Sequence, residues 1–143
     1  MKISYQAIYH FCDNVMPVGP GPASLSIPSG YDAFLGDLAE QHGVERGVPP
    51  GELADEVAEY VDGLPTRAEY DHLVGLAVGD QLRCVLVDRD MGELRPGGDN
   101  ILGYIGDALA LERAGFRVLT WYGPANESLV FGVRSGCALE PVE

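Results

Sequence analysis

The sequence predicts an α+β fold, a single domain over residues 1–143 with three helices packed around a small mixed or antiparallel sheet. Three observations carry that expectation. Apolar residues recur at helical spacing over 31–42, 50–62 and 97–115, β-rich runs lie between and after them, and Gly- and Pro-rich stretches punctuate the boundaries. The resulting order, β, α, α, β, β, α, β, β, segregates the helices from no single strand pair and belongs to the α+β class.

Residues 2–12 alternate, with Ile3, Tyr5, Ala7, Tyr9 and Phe11 on one side and Ser4, Gln6, Ile8, His10 and Cys12 on the other. That pattern predicts a strand with one buried face, His10 emerging near its end. A segment dense in Gly and Pro comes next, where Pro17, Pro20, Pro22 and Pro28 forbid a regular helix or central strand, so it reads as an ordered loop. Ser29 and Asp32 suit a helix start, and the helix from Tyr31 to about His42 places Tyr31, Phe34, Leu35 and Leu38 on one side. A second helix begins near Pro50 and turns Leu53, Val57, Tyr60 and Val61 inward.

From Tyr70 the period changes. HLVGLAV and QLRCVLVD read as two strands joined by a tight turn at Gly79-Asp80. The stretch from Gly97 to Val133 then organises the chain. Asp99 or Asn100 can cap a helix whose stripe is Ile101, Ile105, Ala108, Leu109 and Glu112, Gly115 can take the left-handed turn that ends it, and two strands come after, FRVLTWYG and the run opening at Glu127. The tail CALEPVE reads as short and frayed.

Composition narrows the function. At 143 residues and 46% apolar content the chain can bury a real core, and no apolar run approaches the roughly 20 residues of a membrane span. The expectation is a cytoplasmic protein without membrane attachment (host cytoplasm if phage-encoded), its Cys12, Cys84 and Cys137 being buried thiols in a reducing compartment. The net charge of −13 is concentrated in residues 30–69, where ten acids face only Arg46 and Arg67. Such a surface repels nucleic acid; the plainer reading of the same charge is colloidal solubility, and it would also attract a basic protein partner. The acids of the second predicted helix, Asp55, Glu56 and Glu59, are its candidate contacts. Phosphate-binding glycine loops, HExxH and G-x-S-x-G are missing from the sequence, and its three histidines have no ligand spacing, so no metal is expected.

One constellation points to chemistry. A first strand ends in Ile8-Tyr9-His10, a Ser-rich segment leads into Tyr31, and the last long strand opens with Glu127 in E-S-L-V-F. In this layout, and in RCVLVDRDMGEL and ALERAGFRVLTW, the chain resembles small ADP-ribosyltransferases of the His-Tyr-Glu type. The resemblance implies that NAD is the cofactor and a protein side chain the target. His10 would hydrogen-bond the adenosine ribose, Tyr31 would stack on nicotinamide, and Glu127 would stabilise the cationic sugar as the glycosidic bond breaks. Each residue also has a purely structural role open to it: a satisfied histidine, a core aromatic, a turn carboxylate. The alternatives to the enzyme are an acidic binding protein, such as an inhibitor, antitoxin, immunity or anti-defence factor, and a phage structural or assembly subunit.

Overall fold

The computed structural model describes residues 1–15, 30–41, 55, 57, 63–88, 99–123 and 128–143. The Pro-rich loop expected over 17–28 lies outside them. The fold is α+β. Strand β1 (Lys2–Ser4) leads into helix α1 (Tyr5–Val15), followed by α2 (Tyr31–Gln41), α3 (Arg67–Val78), β2 (Leu82–Asp88), α4 (Asp99–Arg113), β3 (Phe116–Tyr122), β4 (Ser128–Arg134) and β5 (Glu140–Val142). β2, β4 and β3 form an antiparallel sheet in that spatial order, and β1 pairs in parallel with β5.

β4 is the middle strand, and its alternation explains the layering. Leu129, Phe131 and Val133 join the main core with Phe11, Leu35, Leu38 and Leu73 of the first three helices. Val130 packs on the opposite face with Leu111 of α4, Val85 and Phe116. Helices therefore cover both faces of the three-stranded sheet, and Ser128–Val133 is buried throughout. Gly132 belongs to the α4 side, where a Cβ would come within 2.9 Å of the Phe116 Cβ and 3.2 Å of the Leu111 methyls. Only hydrogen fits there.

Two elements expected as strand are helical. Over residues 5–12 nearly every side chain is buried, so the burial that mimics alternation is compatible with a helix enclosed on most sides. Ser4 supplies its start, its Oγ accepting from the Ala7 backbone N–H at 3.1 Å. His10 accordingly stands in the middle of α1 and not at a strand end. The second element is α3, set by a capping box: the Glu69 N–H donates to Thr66 Oγ1 at 3.2 Å, and the Thr66 N–H to Glu69 Oε1 at 2.8 Å.

Gly79-Asp80 consequently closes a helix and does not join two strands. The Gln81 N–H reaches Leu76 O and the Asp80 N–H reaches Ala77 O, a Schellman arrangement with Asp80 in the left-handed position at φ +56°. The expected helix before Gly115 is present, and Gly115 ends it at φ +92°. Among its described side chains the buried one is Leu111, whereas Leu109, 44% exposed, and Glu112 of the expected stripe face outward. The tail is not frayed: Glu140, Pro141 and Val142 pair with Lys2, Ile3 and Ser4.

The cysteines also differ from expectation. Cys12 of α1 and Cys84 of β2 form a disulfide, and Cys137 is free. Sequence spacing cannot reveal such a pairing between residues 72 positions apart. No helix among the described residues is long and apolar enough to cross a membrane.

This packing can be tested at two points. Gly132→Ala should lower the unfolding free energy by about 1–3 kcal/mol through overpacking against Phe116 and Leu111, measured by denaturant titration. Removing the cross-link with Cys12→Ala and Cys84→Ala together should cost about 4 kcal/mol from loop-closure entropy alone, and addition of a reductant should then leave the double variant's midpoint unmoved.

Candidate functional site

The residues singled out for NAD chemistry have dissimilar surroundings. His10 is 6% exposed, with its ring edge-on to Tyr9 at 5.2 Å, and Tyr9 in turn lies against Trp121 at 6.1 Å. The His10 carbonyl accepts from Asn14 Nδ2 at 2.7 Å. Tyr31 opens α2 and is half-buried. Its hydroxyl donates to the Pro65 carbonyl at 2.6 Å, its ring packs with Phe34 and Tyr70, and the Arg67 guanidinium lies 5.0 Å from the ring centre. Burial raises the Tyr31 phenol above its ordinary pKa, against the pull of Arg67, so the hydroxyl remains a donor at neutral pH. Glu127 lies outside the described residues.

Of the acids proposed to face a partner, Asp55 is helical and exposed, and Glu56 and Glu59 lie outside the described residues. Val57, two positions on, is fully buried, as the inward stripe of that helix requires.

A different group of acids shares a concavity. Asp13 and Asn14, on the last turn of α1, and Asp37 and Glu40, on the outer side of α2, line an open groove of about 420 Å³. The spacing follows from the helices themselves. In α2 the stripe Phe34, Leu35, Leu38 and Ala39 is buried, which forces Asp37 and Glu40 outward. In α1, Phe11 and Cys12 are buried and the next two residues reach the rim. Tyr70 of α3 is buried among Phe11, Phe34 and Tyr31, and its hydroxyl pKa is raised first by that burial, then by the Asp71 and Asp37 carboxylates. Among the described residues no group of three or more His, Cys, Asp or Glu side chains is arranged to hold a metal ion.

On the far side of the sheet the charges are paired. Asp80 accepts from Arg83 Nε at 2.6 Å and Nη2 at 2.8 Å, and from Arg134 Nη2 at 2.9 Å. Both guanidiniums lie over the Phe116 ring, 4.6 and 3.9 Å from its centre. Arg134 also donates to the carbonyls of Asp80 and Ala114, so one side chain ties the end of α3 to the end of α4. Hydrogen bonds from Arg83, more than those from Arg134, hold the Asp80 carboxyl at about 2.

A comparison with known protein families, curated proteins and solved structures finds no match to this chain. The arrangement of its own side chains therefore carries the functional reading. The groove acids sit on two separate helices, and the amphipathic pattern of α2 signals two of the three, Asp37 and Glu40.

Because the folded-state pKa of Asp80 is depressed below the ordinary 3.8, its contribution is complete above that value and disappears as pH falls towards 2. Thermal melts between pH 5 and 2 should show Asp80→Asn losing the part of the acid transition that this group supplies. At neutral pH the variant should be less stable by on the order of 1 kcal/mol, since the carboxylate is 40% exposed and partly screened. Asn suits the left-handed backbone there, so the comparison isolates the charge.

Proposed function

We infer that the chain is a non-enzymatic acidic binding protein that covers a basic surface of a protein partner with its helical face, in the manner of an inhibitor, antitoxin, immunity or anti-defence factor. The observation that supports this most is the groove in which Asp13, Asp37 and Glu40 converge with Asn14. Its walls are two helices whose apolar sides are locked in the core, so the carboxylates are presented with little backbone freedom left to lose on association. A net charge of −13 steers a cationic partner from a distance and repels nucleic acid. Lysine and arginine side chains are the groups such a groove receives, through charge-assisted hydrogen bonds to its carboxylates.

The test is retention of basic proteins on the immobilised chain over a salt series, for the natural sequence and for Asp13→Asn, Asp37→Asn, Glu40→Gln combined. Expected is a basic partner held at low salt, released as salt rises, and lost to the triple variant at least tenfold in affinity. Retention that ignores both salt and the three substitutions would overturn the reading. A parallel incubation with labelled NAD and lysate separates the enzymatic alternative: label transfer or nicotinamide release that disappears in Glu127→Gln would support an ADP-ribosyltransferase in its place.

A further inference from the structure

Where β4 turns towards β5, a second concavity of about 290 Å³ is lined by Arg117, Val133, Arg134, Ser135, Cys137 and Leu139. It lies by the β1–β5 pair that leads into the first turn of α1, whereas the acidic groove is at the last turn. Val133 and Leu139 are each 3% exposed and belong to the main core, so part of the lining is apolar.

Its two guanidiniums are unequal. Arg134 is committed to Asp80 and to the Ala114 carbonyl. Arg117 is paired with Val133 across the β3–β4 ladder, is exposed, and makes no ion pair among the described residues. Of the three described side-chain cations that no described carboxylate pairs, Lys2, Arg113 and Arg117, it is Arg117 that lines this pocket. Beside it stand the Ser135 hydroxyl and a chain reversal in which Gly136 has φ +82°.

We propose that this pocket binds a small monocarboxylate with a short apolar body. The planar guanidinium of Arg117 matches a carboxylate in two-pronged fashion, Ser135 donates a further hydrogen bond, and the apolar part of the ligand covers Val133 and Leu139. The volume lies at the lower limit of ordinary ligand sites, which restricts the ligand to a few carbons beyond the carboxylate. A multiply charged anion such as phosphate gains nothing from the apolar lining and is repelled more strongly by the protein's negative field.

The experiment is an amide-resolved NMR titration of the full chain with acetate, hexanoate, hexanamide and inorganic phosphate, repeated for Arg117→Gln. Saturable shifts should appear over residues 135–139 with hexanoate, at lower concentration than with acetate. Affinity for hexanoate should fall about tenfold in Arg117→Gln, equivalent to about 1.4 kcal/mol. Arg117→Lys, which keeps the charge and loses the planar fork, should fall between the two. Because Arg117 is exposed, both variants should keep the dispersed spectrum of the natural chain. The assignment is overturned by the absence of saturable shifts with hexanoate, by hexanamide or phosphate binding as tightly as hexanoate, or by an affinity that Arg117→Gln leaves unchanged.

Discussion

The burial of β4 on both faces is the constraint on which the rest of the molecule depends. A strand covered on one side only would leave α4 without a seat, and α4 is what brings Leu111 onto Val130 and Phe116. Its other face closes the main core beneath α1, α2 and α3. The side-chain sizes along β4 answer to the two layers separately: large residues towards the three helices, and the missing side chain of Gly132 where Phe116 and Leu111 press closest. Hydrophobic burial here does more than stabilise, because it sets which way each helix turns its polar side.

That orientation is the origin of the charge pattern. With the apolar stripes of α1 and α2 committed inward, Asp13, Asp37 and Glu40 turn to the shared groove, while Asp32 pairs with Arg67. On the α4 side the same sheet gathers arginines, which neutralise Asp80 and stack on Phe116. Asp80 occupies a left-handed position usually given to glycine, and its two arginine partners offset the conformational cost. One aspartate therefore serves both as a helix terminator and as a clamp between α3, β2, β4 and the end of α4.

Much of this was legible in the residues, for identifiable reasons. The stripe of α2, the helix that Gly115 ends, and strands β2, β3 and β4 all carry strong periodicity or β-rich runs bounded by glycine, and they stand where the pattern puts them. α1 misleads because aromatic and β-branched residues alternate over a segment that is buried nearly all round, so tertiary burial outweighs local preference. α3 was marked by Thr66 and Glu69, a reciprocal cap that outweighs the valine- and leucine-rich look of the segment after it. The groove was only half legible: periodicity turns Asp37 and Glu40 outward, but no local rule brings Asp13 beside them. The Cys12–Cys84 bond and the Arg83–Phe116–Arg134 stack are likewise products of three-dimensional closure.

The disulfide has a consequence for the molecule's integrity under proteolysis. It closes a ring of chain running from the first long helix to the first strand of the main sheet. A peptide bond cut anywhere inside that ring leaves the two pieces covalently joined, so nicked protein travels as one species until a reductant separates it. Damage confined to the ring is thereby converted from loss of a fragment into a local break in an otherwise tethered frame.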